Sequence, residues 1–155
     1  IQIKEKKIEF NARHHAKERI YEYQITNRQG SLSIDKNKSW HIKKMININL
    51  MKIGAKILEG THDFSTFRAA ACSAKSPIKK MNSIKIIKKS DKIFIRFRSK
   101  SFLQNQVRSM VGCLKYLSTN KWSLSEFKKI FKSKKRIKCA PPAPACGLYL
   151  FEVKY

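Results

Sequence analysis

Acidic side chains are scarce in this chain: aspartate and glutamate together number 10 against 35 lysines and arginines among 155 residues. The resulting net charge of +25 is a field that draws polyanions over long range and releases counterions on contact, so nucleic acid is the partner class it favours. The same lysines, spread along the whole chain, also fit a biased composition with no binding face. Long apolar runs are missing; none approaches the ~18 residues that a membrane-spanning helix needs. Cysteine is limited to Cys72, Cys113, Cys139 and Cys146. They form no Cys-x-x-Cys pair and none has a histidine at zinc-finger spacing, which excludes a zinc framework and leaves reduced thiols, as expected of a cytoplasmic protein. No glycine-rich phosphate loop, HExxH, GxSxG or internal repeat is present. A starting methionine is missing too: the chain opens IQIKEKKIEF and reads as a piece of something longer.

What is present suffices for a single domain. With 42% hydrophobic and 29% charged residues over this length, the chain is globular and buries a real core. Residues 3–10 and 19–26 read as strands. In the second, Tyr21, Tyr23 and Ile25 share one face while Ile20, Glu22 and Gln24 share the other. Residues 27–39 are polar and read as a loop. Asn47 can cap a helix over 48–59, with Gly60 as its stop. Alternating residues over 82–88 and 93–98 predict a hairpin. A helix is expected over 102–118, and another from Ser123, where Ser123 and Glu126 form a capping box. The APPAP segment interrupts regular structure before a last strand over 147–155. The order of elements predicts an α+β fold, a largely antiparallel β-sheet with helices packed on one face.

One stretch, FLQNQVRSMVG over 102–112, stands apart. At about 100° per residue Leu103, Val107, Met110, Val111, Leu114 and Leu117 form one apolar stripe. Arg108 lies at its edge, and Gly112 sits one turn further on. A glycine inside a helix costs roughly 1 kcal/mol relative to alanine, so something is expected to pack closely there. An arginine fixed beside bare backbone can hold a carboxylate or phosphate in set geometry, and the pattern equally fits a surface arginine on an ordinary core helix.

Four ordered blocks carry a family resemblance over nearly the whole chain. FNARHHAKERIYEY resembles the F-H-A-R-F-S-A…R-x-Y-x-Y block of the tRNA pseudouridine synthase A family. GTHDFSTFRAAACSAKSP resembles its G-x-H-D-F-x-S-F-x-A…C…S-P block, and FLQNQVRSMVG its F-L-H-H-M-V-R-N-I-V-G helix. The closing APACGLYLFEVKY resembles A-P-A-x-G-L-x-L-x-x-V-x-Y. The resemblance implies a pseudouridine-synthase-like half-fold in an enzyme that isomerises uridines in the tRNA anticodon stem-loop, without a cofactor and as a homodimer. The family's attacking aspartate lies in an R-T-D-x-G-V-H-A motif. No such motif occurs here, where the aspartates are Asp35, Asp63 and Asp91. Residues 1–155 are therefore expected to be the C-terminal domain, with the N-terminal domain absent from this chain. The missing aspartate also leaves open a non-catalytic RNA-binding domain.

Residue by residue, Tyr21 matches the family's active-site tyrosine, a flat ring to lie against the flipped uracil. Arg108 matches the basic partner of the attacking aspartate. Asn11, Arg13 and His14 fall in the first tRNA-contacting block, and Cys72, Ser73, Ala74 and Lys75 in the second, with Arg13 and Lys75 suited to phosphates. The chain departs from the family where Asn11 replaces histidine, where His14 and His15 replace Phe-Ser, and where Gln104, Asn105 and Gln106 replace His-His-Met. No metal ligand is expected.

Overall fold

The central strand, β1, runs over Glu18–Asn27. Its length lets it pair on one side with a single long partner and on the other with two short ones in succession. The computed structural model describes residues 5, 7–33 and 36–155. The remaining elements are β2 (Trp40–Ile42), α1 (Ile48–Leu58), β3 (Gly60–Asp63), β4 (Ile78–Lys89), β5 (Lys92–Ser99), α2 (Gln106–Ser118), α3 (Leu124–Lys132) and β6 (Leu148–Lys154). The sheet runs β2-β1-β5-β4-β3, with β6 beside the first half of β1 on the edge that β2 occupies further along. Every pairing is antiparallel except β1 with β2.

The period-two pattern decides which face is buried. Tyr23, Ile25, Ile86, Ile93, Ile95 and Phe97 point to one side and are covered by the helices, where Met51, Leu58, Met110 and Leu114 close the core. Phe127 and Phe131 bring α3 onto the same core. The other side of the sheet carries ion pairs between neighbouring strands: Arg96 with Glu22 at 2.6 Å and Arg98 with Glu18 at 2.7 Å. The α+β expectation, helices on one face included, is therefore met, with one parallel pairing in a mixed sheet.

Local signals place most boundaries. Asn47 accepts from the Leu50 N–H and starts α1, and Gly60 turns the chain out of it at φ +102°, a conformation that favours glycine. The Ser123–Glu126 capping box starts α3. The hairpin is β4–β5, although β4 begins at Ile78, earlier than the alternation suggests.

Two expectations need correction, and one strand went unpredicted. The strand over 3–10 falls partly on residues outside those described, and its described end is a turn, with the Phe10 N–H donating to the Lys7 carbonyl at 2.9 Å. After the loop over 27–39, Trp40–Ile42 form β2, a strand too short to show a period in the sequence. The helix of 102–118 starts only at Gln106, because Asn105 is left-handed at φ 60° and breaks the run. Phe102, Leu103 and Gln104 instead form a turn tied by the Gln106 side chain, whose Oε1 accepts from the Leu103 N–H at 2.7 Å. Among the described residues no helix is long and apolar enough to cross a membrane.

Candidate active site

Tyr21 lies on β1 on the helix-facing side of the sheet, opposite Phe97 on β5 and Leu150 on β6. The turn before α2 brings Phe102 edge-on to its ring, centroids 5.1 Å apart at 89°. That contact depends on the left-handed Asn105, since a continuous helix would send Phe102 along the helical screw. Tyr21 is half-buried, and among the described residues its hydroxyl makes no hydrogen bond. A ring fixed by an aromatic neighbour with a free hydroxyl can stack on a base and exchange a proton.

Arg108 is the third residue of α2 and is also half-buried. Its Nε donates to the carbonyl oxygen of Ala143 at 2.7 Å, and its Nη1 lies 3.4 Å from Asn105 Oδ1. Among the described residues Nη2 makes no hydrogen bond. The guanidinium is thus held by one edge, with another edge left for an anion.

Tyr21 and Arg108 line one cavity of about 500 Å³, together with Arg13, Cys72, Ser73, Ala74, Phe102, Leu103 and Leu148. The volume is in the range of small-molecule sites and has room for a nucleoside. A neighbouring groove, lined by Arg13, His14, Arg19, Tyr21 and Lys79, continues from it. Sequence-predicted residues from three separated blocks thus meet at one place: Tyr21, Arg108, Arg13, Cys72, Ser73 and Ala74 at the cavity, His14 at the groove. Asn11 and Lys75 line neither. Lys75 is exposed, and the Asn11 side chain serves its own turn, accepting from the N–H groups of Arg13 and His14 at 3.0 and 3.1 Å.

Arg68 is a residue that the sequence reading missed. Its Nη2 donates to the carbonyls of Cys72 and Ala74 at 2.8 and 2.7 Å, clamping the loop that walls the cavity. Nothing in its spacing marks it, because its partners are main-chain atoms. Cys72 is the buried member of this wall. Backbone N–H groups of Ala74 and Gln104 directed at its sulfur, with Arg68 beside it, hold its thiol below the ordinary cysteine value. Among the described residues no group of three or more His, Cys, Asp or Glu side chains could hold a metal ion.

The described aspartates lie apart from this cavity. Asp63 sits on β3, accepting from the Ser65 N–H at 2.9 Å and pairing with Lys134 at 3.4 Å. Asp91 lies in the β4–β5 turn, 3.3 Å from Arg28. Asp35 falls outside the described residues.

Known proteins match this chain over most of its length. A family model described as tRNA pseudouridine synthase matches residues 55–155. The chain is 59% identical over 153 residues to tRNA pseudouridine synthase A of Pelagibacter ubique, covering 99% of this chain and 62% of that protein. It is 42% identical over 146 residues to the enzyme of the same name from Parvibaculum lavamentivorans, covering 94% and 59%. For that of Azorhizobium caulinodans the identity is 40% over 147 residues, covering 95% and 57%. The chain therefore spans about three-fifths of the length of these relatives.

Proposed function

We infer the function from one fact: this chain belongs to the tRNA pseudouridine synthase family. The protein that contains it converts uridine to pseudouridine in tRNA, acting on the anticodon stem-loop, and residues 1–155 are its C-terminal domain. The working protein is a cytoplasmic homodimer. In the reaction the bond from uracil N1 to ribose C1′ breaks, a bond from C5 to C1′ forms, the C5 hydrogen leaves as a proton, and N1 takes up a proton, so that the product is an isomer of the substrate.

The attacking carboxylate comes from outside residues 1–155, and Arg108 receives it through the guanidinium edge that Ala143 leaves open. A carboxylate beside a guanidinium stays ionised and keeps its direction, as a nucleophile must. Tyr21, backed by Phe102, stacks on the flipped base, and its unpartnered hydroxyl is placed to take part in proton transfer. Arg13, His14 and the Cys72–Ser73–Ala74 wall, with Lys75 and Asn11 further out, face the RNA around the flipped nucleotide.

The observation that carries these residue roles is that Tyr21 and Arg108, drawn from separate blocks, line a single cavity. The full-length protein tests it with tRNA labelled with tritium at uridine C5, since pseudouridine formation releases that label. Tyr21→Phe and Arg108→Ala are each expected to abolish release. Release at parent rates from both variants would remove these residues from the mechanism. The isolated chain of 155 residues is expected to bind tRNA and release none.

A further inference from the structure

The segment from Cys139 to Gly147 crosses α2 and returns to β1 as a strap; beyond the sulfur contact of Cys139 with Cys113 at its start, it is pinned at four points. At the first, Gly112 has no side chain where Pro141 passes; a Cβ there would lie 2.1 Å from the Pro141 carbonyl oxygen. At the second, Ala143 is bonded to Arg108 twice: its N–H donates to the Arg108 carbonyl at 3.0 Å, and its own carbonyl accepts from Arg108 Nε at 2.7 Å. The third is the Tyr23 hydroxyl, which donates to the Pro144 carbonyl at 2.6 Å. At the fourth, Gly147 lies against Tyr23 so closely that a Cβ would come within 2.8 Å of its ring.

Tyr23 is fully buried beneath the strap, and burial pushes its hydroxyl well above the ordinary tyrosine value. It is therefore a donor at every working pH. Pro141, Pro142 and Pro144 cannot offer an N–H, so main-chain anchoring of this stretch rests on the Ala143 N–H and on the carbonyls of Ala143 and Pro144. Two adjacent carbonyls thus have two different partners: one holds the guanidinium, the other is held by Tyr23.

We propose that Tyr23 is a positioning residue for the isomerase reaction: by fixing Pro144 it sets the Ala143 carbonyl, which aims the Arg108 guanidinium into the cavity. This rests on the reading of Arg108 as the partner of the attacking carboxylate. Tyr23 touches neither substrate nor the reacting atoms. Its effect passes through one backbone carbonyl.

The test uses the full-length protein and tRNA. Tyr23→Phe keeps the buried ring and removes only the hydroxyl. The expected result is a kcat lowered by roughly ten- to a hundredfold, as slight misplacement of a reacting group produces, with KM for tRNA within about twofold. A loosened Arg108 depresses the attacking carboxylate's pKa less, so the acid limb of the kcat–pH profile should move upward, by up to about 1 unit. If Tyr23→Phe does not fold, Pro144→Gly, which keeps the core ring and frees the strap's backbone, is read out in the same way. An unchanged kcat and acid limb in the folded variant, or a loss confined to KM, overturns the proposal. Arg108→Ala separates the two levels. If it is inactive while Tyr23→Phe behaves as the parent, only the positioning role fails; if Arg108→Ala is fully active, the reading of Arg108 itself fails.

Discussion

Gly112 and Pro141 approach more closely than any side chain permits: a Cβ on residue 112 would meet the Pro141 carbonyl oxygen at 2.1 Å. The neighbour is main chain on a segment that is itself anchored to Arg108 through Ala143, so it cannot swing aside at low cost. Gly112→Ala should therefore destabilise the protein by about 1–3 kcal/mol, although alanine is the better helix former by about 1 kcal/mol. Gly30, with nothing within 4 Å of its would-be Cβ, is the control, and Gly30→Ala should leave the thermal midpoint nearly unchanged. Thermal unfolding of both variants checks this, and equal midpoints would mean that the strap yields to the new methyl group.

Phe102 gives a second prediction. Its ring is the edge-on support of Tyr21, and it reaches that place because Asn105 interrupts the helix. Phe102→Ala should lower pseudouridine formation while leaving the fold intact, because the residue is only half-buried. An aromatic pair of this kind contributes about 0.5–1.5 kcal/mol beyond area burial, so a loss on the order of tenfold in kcat is expected. Phe102→Tyr should restore most of it. Tritium release from labelled tRNA measures each.

Much of this was legible from the residues, and the reasons are local. The Asn47 cap, the Ser123–Glu126 box and the alternation around the hairpin act over a few neighbours, so sequence alone predicts the elements they bound. The stripe from Leu103 to Leu117 is buried throughout, and the bare patch at Gly112 does mark a close approach. What escaped was set by partners distant in sequence. Arg68 acts on the carbonyls of Cys72 and Ala74, and Arg108 on that of Ala143; a main-chain carbonyl has no letter in a sequence. Asn105 escaped for another reason: an isolated asparagine in a helical pattern gives no sign of the left-handed conformation that it adopts here at φ 60°.

Cys113 and Cys139 join α2 to the start of the strap, their sulfurs 3.4 Å apart. The contact with Cys113, with Arg136 beside it, holds the Cys139 thiol below its ordinary value, while the same contact and burial push Cys113 up. Cys139, the more exposed of the two, is the thiol expected to attack first when a peroxide oxidises the pair, and the two sulfurs must close to about 2.05 Å. Two thiols become a disulfide as the peroxide is reduced to water. In the 155-residue chain, mild oxidation should remove the Cys113 and Cys139 thiols together, and a reductant should restore both. Cys139→Ser should protect Cys113 from this loss. Survival of both thiols would show that the buried sulfur cannot move.

Acid sensitivity should be traceable to Glu18. Its carboxyl is held below the ordinary glutamate value of 4.5, chiefly by the hydrogen bond from Arg98, with Asn82 and Lys154 helping. A depressed carboxyl contributes stability that is fully present above the unfolded value and is lost as pH falls through the folded one. The destabilisation caused by Glu18→Gln should therefore be constant from neutral pH down to about 5 and shrink progressively below 4.5. Urea midpoints of parent and variant across that range give the comparison. A difference that persisted unchanged at the acid end would assign the effect to lost hydrogen-bond geometry and not to charge.

Salt provides the last test, because the composition and the cavity make different demands on it. The net charge of +25 alone predicts tight tRNA binding that weakens steeply with salt, wherever on the surface the RNA lies. The site geometry predicts more: Arg13 lines both the cavity and the groove beside it, whereas Lys128 and Lys132 are exposed on α3, among the residues of a separate surface depression. If RNA follows the cavity and groove, Arg13→Gln should reduce the slope of log K against log salt by about one and weaken binding at every salt concentration. Lys128→Gln and Lys132→Gln should change the slope far less, since loss of a charge away from the RNA path releases no condensed counterion. Equal slopes for all three variants would mean that the chain holds RNA through its overall charge, with no defined track leading to Tyr21 and Arg108.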